Sequence, residues 1–203
     1  RHGSPVVPGA VVQDAGSALS AASTFASPVV LQIASPDIAH KTEAGGVKLG
    51  IAPQDAGRAH DEIRAAVNIA LPHARIDGVI VSPMRPPGLE LFVGVARDPD
   101  WGPAIAVGLG GVWVEVLGDS AVRLLPIDKA GALGMLHSLR AAALFDGYRG
   151  APAADLERLA EVIVAIGEAA LALGPGLAAL EINPLWVQGN QVEALDALVV
   201  WES

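Results

Sequence analysis

Apolar residues follow two spacings along this chain, and the spacing changes repeatedly from one segment to the next. Apolar residues at every third or fourth position, or alanine-rich stretches without proline, predict helices at 14–25, 55–69, 128–139 and 154–173. Short apolar runs rich in β-branched residues predict strands at 28–33, 47–51, 78–82, 90–96, 104–107, 112–117, 179–187 and 192–200. Helices and strands therefore interleave, which predicts an α+β (α/β) fold with mixed sheets.

The predicted elements form two groups along the chain. A chain of 203 residues suits one large domain or two small ones, at roughly 150 residues per domain. After Pro126 come the longest predicted helix and a pair of strands joined at Gly189-Asn190, a typical hairpin turn. We therefore expect two α+β lobes, 1–110 and 111–203.

The charge and composition exclude several classes of function. The chain has 13 lysine and arginine residues against 22 aspartate and glutamate residues, a net charge of −9. This balance argues against a general nucleic-acid-binding protein, because such proteins present positive charge to phosphates. The absence of cysteine excludes disulfides, thiolate metal sites and a cysteine nucleophile.

The longest charge-free stretch does not predict a membrane span. The segment 15–36 has the length of a spanning helix, for which about 20 residues are needed. However, Pro28 interrupts it and several serines lie within it. No signal peptide pattern opens the sequence, and we expect a cytoplasmic protein that does not enter the membrane.

The polar loop 35–48 is the first candidate site. Gly45 and Gly46 would let backbone N–H groups approach an anion, and Lys41 or Lys48 would add positive charge. An ordinary polar loop between two strands explains the same pattern equally well. His40 in this loop is either a surface histidine or a carrier of protons or phosphoryl groups.

A second candidate is the glycine-rich segment Gly108-Leu109-Gly110-Gly111, which Glu115 follows. The glycines indicate either close approach to a ligand or a tight turn between strands, and the sequence does not decide between these. Glu115 lies among apolar strand residues, so its carboxylate needs solvent or a partner.

The third candidate is a group of oxygen-bearing side chains near the end of the chain. Glu181 and Asn183 are two residues apart in a predicted strand, so both side chains leave the same face. Asp196 lies in the next predicted strand, where hairpin pairing would place it close to Asn183. Oxygen ligands suit Mg²⁺, which often shares them with phosphates. A polar strand face at a sheet edge is the alternative.

Taken together and in order, these segments resemble the ATP-grasp domain of NDP-forming acyl-CoA synthetases. This family includes the beta subunit of ADP-forming acetate–CoA ligase and is related to succinyl-CoA synthetase beta. The resemblance covers 28–197. It rests on Ser35-Pro36-Asp37-Ile38-Ala39-His40-Lys41-Thr42 with Gly45-Gly46-Val47, Arg97-Asp98-Pro99 with Gly102-Pro103, Gly108-Leu109-Gly110-Gly111 with Glu115, Gly147-Tyr148-Arg149-Gly150, and Glu181-Ile182-Asn183-Pro184-Leu185.

The resemblance implies two lobes that bind ATP or ADP with Mg²⁺. The family reaction converts acyl-CoA, ADP and phosphate reversibly into acid, CoA and ATP, through an acyl phosphate and a phosphohistidine. It assigns the metal to Glu181, Asn183 and Asp196. It assigns catalytic roles to His40, which would receive or relay the phosphoryl group, and to Glu115.

The resemblance also assigns the nucleotide contacts, and here the chain departs from the family. Gln32 stands where the family has a phosphate-binding lysine. Pro83 lies in the hinge strand, which has lost the family's glutamate and, at the proline, an N–H group that could pair with adenine. The remaining assigned nucleotide contacts are Lys41, Gly45, Gly46, Val81, Met84, Glu90, Gly110 and Gly111.

The family's CoA-binding half is missing from this sequence. The resemblance therefore implies a partner, either an alpha subunit or the remainder of a fused chain, which would bind CoA and a small carboxylic acid. The departures at Gln32 and Pro83 favour a second hypothesis, a degenerate ATP-grasp domain with a regulatory or structural role. A third hypothesis, a ligase that joins an acid to an amine, needs no CoA-binding half.

Overall fold

A computed structural model of the chain describes residues 5–38, 40–110, 118–147 and 150–202. Contacts divide the chain into two compact units. The smaller unit is Val7–Pro86, and the larger unit runs from Pro87 onward together with the first residues of the chain. The two units are described separately.

The smaller unit is built on a four-stranded antiparallel sheet with the order β1-β4-β2-β3. Val29, Leu31 and Ile33 are fully buried on one face of β2, as the alternating burial of that strand requires. They pack into one core with the helices. The elements are β1 (Ala10–Val12), α1 (Ala15–Ala22), β2 (Val29–Ala34), β3 (Val47–Ile51), a 3-10 turn (Pro53–Asp55), α2 (Ala56–Ala70) and β4 (Gly78–Pro83).

The larger unit contains an antiparallel sheet with the order β10-β8-β5-β6-β7, and β9 pairs with β8. Leu91, Val93 and Val95 are buried on one face of β5, in a core shared with the helices of this unit. The other face of the sheet carries the candidate metal ligands. The elements are β5 (Leu89–Asp98), β6 (Gly102–Leu109), β7 (Ser120–Leu124), α3 (Lys129–Ser138), a 3-10 helix (Ala142–Asp146), α4 (Leu156–Leu173), β8 (Leu177–Gln188), β9 (Gln191–Ala194) and β10 (Ala197–Trp201).

Helix α4 shows how the sequence pattern determines an element. The Asp155 carboxylate accepts the N–H of Arg158 at 3.0 Å, so it caps the first turn. Leu159 and Ile163, four residues apart, are fully buried on one face. Gly174 ends the helix with φ of 88°, a conformation that glycine adopts readily. Among the described residues, no helix is both long and apolar enough to cross a membrane.

Most predicted elements are present within a few residues of their expected bounds. The predicted strand 192–200 is instead two strands, β9 and β10, separated at Leu195-Asp196. The short strands β1 and β7 were not predicted. The predicted strand 112–117 lies outside the described residues.

The expectation of mixed sheets is wrong for the described residues, because all of their paired strands run antiparallel. The one parallel pairing among them is an isolated bridge between Val6 and Ala194. The two units also divide at Pro86 and Pro87, earlier than the boundary expected at 110/111. This difference arises because β5 and β6 belong to the same sheet as β8.

Asp119 anchors the connection that follows α3. Its buried carboxylate accepts the backbone N–H groups of Arg140 and Ala141 at 2.9 and 2.8 Å. Because the carboxylate itself is buried, water would replace it poorly as the acceptor of these two donors.

Replacing Asp119 with alanine should therefore lower the free energy of unfolding by about 2 kcal/mol, because two backbone donors lose their acceptor. Asp98→Ala is the matched control. Asp98 also accepts two backbone N–H groups, from Asp100 and Trp101, but it is exposed and water can replace it. Urea denaturation of the two variants measures the difference. If both variants lost the same free energy of unfolding, the burial of Asp119 would not be the reason for its contribution to stability.

Candidate functional site

The structure places Glu181 and Asn183 on the face of the larger sheet that points away from the helices, and it brings the backbone of Asp196 next to Asn183. Leu180 and Ile182 are buried in the core, so Glu181 and Asn183 project from the opposite face of β8. The side-chain amide of Asn183 donates to Glu181 Oε1 at 3.1 Å. The Asn183 backbone N–H donates to the Asp196 carbonyl at 3.3 Å, so the break between β9 and β10 lies beside Asn183. We call these three residues the oxygen trio.

The chemistry of the oxygen trio fits Mg²⁺. Two carboxylates and one amide oxygen are hard ligands, and Mg²⁺ in phosphate-binding sites commonly takes one or two carboxylates plus phosphate oxygens. The bond from the Asn183 amide nitrogen to Glu181 turns the nitrogen towards its neighbour, which leaves Oδ1 of Asn183 as the ligand atom. Within the described ranges, no group of three or more histidine, cysteine, aspartate or glutamate residues could hold a metal.

The glycine-rich segment is described only in part, since Gly111 and Glu115 lie outside the described residues. The Gly110 N–H donates to the Glu90 carbonyl at 2.7 Å. A Cβ atom at Gly110 would come within 2.9 Å of the Leu91 carbonyl carbon, so a side chain there would collide with β5. This contact supports the tight strand-to-strand explanation at Gly110. The Glu90 side chain is exposed.

The loop 35–46 uses the N–H groups of its glycine pair internally. Gly45 donates to Thr42 at 3.0 Å, and Gly46 donates to the Lys41 carbonyl at 2.8 Å. A Cβ atom at Gly46 would lie 2.6 Å from Ile33 Cγ2, so glycine is required by packing. Neither N–H group is available to an anion in this conformation. Any contact of this loop with a phosphate would therefore have to come from its side chains.

The side chains of this loop differ in their surroundings. His40 is exposed and Lys41 is half-buried. Lys48 Nζ lies 2.5 Å from Glu62 Oε2, and this hydrogen bond is the main cause that lowers the pKa of the Glu62 carboxyl. Lys48 is thus engaged by a carboxylate, and the loop residues for which a phosphoryl role is proposed are His40 and Lys41.

The three hinge and strand residues assigned to the nucleotide lie in the sheet of the smaller unit or directly after it. Gln32 is half-buried in β2, opposite Ile80 on one side. Val81 is fully buried in the core, so its side chain is unavailable to a ligand. Met84 is exposed at its side chain, and its N–H donates to the Pro28 carbonyl at 2.8 Å.

Phe92 is a residue that the sequence analysis did not single out. It lies on β5, on the same face of the sheet as the oxygen trio, together with Gly94. The alternation of side chains along the predicted strand at 90–96 was a sufficient signal for finding Phe92, because it already places Phe92 and Gly94 on the same face of that strand. The position of that face relative to Glu181 needed the strand pairing.

Comparison with known proteins identifies the family. A sequence model described as an ATP-grasp domain matches residues 1–200, nearly the whole chain. The chain belongs to the ATP-grasp family. The resemblance drawn from the motifs is thereby confirmed, as is the predicted ATP-grasp fold with both helices and sheets.

The curated ATP-grasp relatives are acid–CoA ligases. The chain is 38% identical over 200 residues to the beta subunit of ADP-forming acetate–CoA ligase I from Pyrococcus furiosus, covering 98% of this chain and 86% of that protein. It is 37% identical to the ADP-forming acetate–CoA ligase I of Archaeoglobus fulgidus, of which it spans 29%. The Pyrococcus protein is named as one subunit, which implies a partner subunit for it.

Solved ATP-grasp structures agree with the sequence relatives. The chain superposes with a TM-score of 0.93 and 31% identity on an acetyl-coenzyme A synthetase of Ca. Korarchaeum cryptofilum solved with coenzyme A and Ca-AMPCP, covering 99% of this chain and 88% of that one. Another structure of the Korarchaeum enzyme, with TM-score 0.82 and 29% identity, contains Mg-AMPPCP and a phosphohistidine segment pointing towards its nucleotide site; 99% of this chain and 87% of that one are covered.

Proposed function

We propose that this chain is the ATP-grasp component of an ADP-forming acyl-CoA synthetase. With a CoA-binding half it would interconvert acyl-CoA, ADP and phosphate with acid, CoA and ATP. The observation that carries the proposal is the oxygen trio, because it combines a magnesium-type donor set with the family's fold and order of motifs. The proposed phosphate loop lies in the smaller unit, and the proposed metal ligands lie in the larger unit.

In this proposal Glu181, Asn183 and Asp196 hold Mg²⁺ with ATP or ADP. Bound there, the ion would neutralise charge on the phosphates and orient them. Phosphoryl transfer depends mainly on such positioning and charge neutralisation, and needs little covalent chemistry from the protein. Lys41, Gln32 and Glu90 would contact the nucleotide as the family positions imply, with Glu115 and the glycines Gly110 and Gly111 near the same ligand.

The transferred group would move between nitrogen and oxygen. In the direction of ATP formation, the P–N bond of a phosphohistidine breaks and a terminal oxygen of ADP forms the new P–O bond. We propose that the phosphohistidine belongs to the CoA-binding half and that His40 receives or relays the phosphoryl group, its own P–N bond forming as the first one breaks and breaking in turn when the ADP oxygen attacks phosphorus. The exposure of His40 supports this role, since an incoming phosphohistidine could reach it.

One observation favours a second candidate function, a non-catalytic ATP-grasp domain with a regulatory or structural role. Pro83 has no N–H group, and the N–H group of Met84 already donates to Pro28. Neither residue can then donate to a nucleobase in this conformation. Gln32 brings no charge where the family has lysine. Weak nucleotide use would follow from these three positions.

Reconstitution separates the two functions. The chain is mixed with the CoA-binding half of an ADP-forming acetate–CoA ligase, and ATP formed from acetyl-CoA, Mg-ADP and phosphate is measured with luciferase. A panel of acyl-CoA thioesters is then tested in the same way, because the acyl group is set mainly by the other half. ATP formation that requires this chain supports the catalytic proposal. A complex that forms without ATP production from any thioester supports the non-catalytic one.

A further inference from the structure

Phe92 is an aromatic residue on the face of the larger sheet that the helices leave uncovered. Its neighbours Leu91 and Val93 are fully buried in the core, so the Phe92 side chain leaves β5 on the opposite face. The residue is half-buried. It does not belong to the hydrophobic core of the larger unit.

Two glycines lie beneath the ring. A Cβ atom at Gly108 would lie 2.6 Å from Phe92 Cε1, and one at Gly94 would lie 3.7 Å from Cε2. Gly108 is the direct partner of Phe92 on β6, and Gly94 is two residues further along β5. The two edges of the ring therefore lie over the two glycines. A ring that rests on backbone in this way turns one face towards the sheet and the other outward.

Strand pairing places this ring beside the oxygen trio. Gly94 is the direct partner of Glu181 on β8, and directly paired residues place their side chains on one face about 5 Å apart. The Phe92 ring over Gly94 therefore lies next to the Glu181 side chain, on the same face of the sheet. Phe92 is on β5, and the proposed metal ligands Glu181 and Asn183 are on the adjacent strand β8.

An irregularity of the sheet brings Asn183 to the same place. The pairing of β5 with β8 shifts register between Leu91 and Val93, so that Asn183 and Pro184 lie opposite the single residue Phe92. The amide that completes the oxygen trio is therefore the cross-strand neighbour of the aromatic ring.

We propose that Phe92 is the platform on which the nucleoside part of the nucleotide stacks while its phosphates lie at the oxygen trio. This inference rests on the proposed function. The ring has no charge or hydrogen-bonding group, so it offers nothing to phosphates, but its outward face suits a planar base. Phe92 would determine affinity for nucleosides.

The test compares a ligand with a base and one without. Calorimetry gives Kd values for Mg-ADP and Mg-pyrophosphate with the intact chain and with Phe92→Leu and Phe92→Tyr. Leucine keeps the apolar volume and loses the aromatic face, whereas tyrosine keeps the face. We expect Phe92→Leu to weaken Mg-ADP binding about tenfold and to leave Mg-pyrophosphate binding unchanged, because base stacking on an aromatic ring is worth a factor of this order. Phe92→Tyr should bind both ligands like the parent.

A second measurement needs no substitution. In the complex of the unaltered chain with Mg-ADP, nuclear Overhauser effects should connect the adenine protons to the Phe92 ring protons. Their absence from a saturated complex would overturn the inference. So would equal Mg-ADP affinity in Phe92→Leu and the parent, or equal weakening of both ligands. If the parent chain bound neither Mg-ADP nor Mg-pyrophosphate, that result would instead overturn the proposed function, and with it the role of Phe92 as a stacking platform.

Discussion

Asp196→Asn should lower ATP formation by the reconstituted enzyme about 100-fold, and it should weaken the magnesium-dependent binding of nucleotide by this chain. The substitution keeps the size of the side chain but takes one of the two negative charges from the oxygen trio. Removing a single preorganised group that stabilises the transition state costs a factor of this order in other enzymes. Luciferase detection of ATP and a magnesium titration measure the two effects.

Glu168→Gln is the matched control, because Glu168 is an exposed carboxylate on α4 and belongs to no candidate site. It removes the same charge from the same unit and should leave both measurements unchanged. Full activity in Asp196→Asn would contradict the assignment of the metal to the oxygen trio. A similar loss in Glu168→Gln would show that net charge, rather than metal binding, is responsible.

Gly108→Ala should lower the free energy of unfolding by about 2 kcal/mol, as overpacking of a close contact does. The added Cβ atom would lie 2.6 Å from the Asp119 carbonyl oxygen and equally close to the Phe92 ring. A backbone oxygen cannot rotate away, so the strands β6 and β7 must separate there. The loss exceeds the small gain in strand propensity that alanine brings over glycine. Urea denaturation measures the change.

Gly134→Ala provides a control of opposite sign. Gly134 lies inside α3, where an added Cβ atom would meet nothing within 4 Å. Alanine there should raise the free energy of unfolding by about 0.5–1 kcal/mol, because glycine is a poor helix former. Stabilisation by Gly108→Ala would contradict the close packing of the ring and the strand over this glycine.

Part of the geometry of the oxygen trio follows from the sequence alone. Alternation along a strand fixes that Glu181 and Asn183 share a face, and this needs no tertiary information. The hairpin turn at Gly189-Asn190 then brings the following segment back beside β8. The structure adds that Asp196 lies at the break between β9 and β10, where the chain departs from regular pairing.

Other features could not be predicted because they depend on contacts between distant segments. The sequence does not show that the N–H groups of Gly45 and Gly46 are used within their own loop. It does not show that β5 pairs with both β6 and β8, and this pairing decides where the two units divide. The position of Phe92 over Gly108 likewise follows from strand register, which local patterns leave open.

The most direct test of the account is a calorimetric titration of this chain with ADP, once with Mg²⁺ and once with EDTA. The account predicts one nucleotide site per chain that requires Mg²⁺, because the oxygen trio holds the phosphates only through the metal. Binding of equal strength in EDTA would contradict the metal assignment. Absence of binding in the presence of Mg²⁺ would contradict the claim that this chain is a working ATP-grasp component.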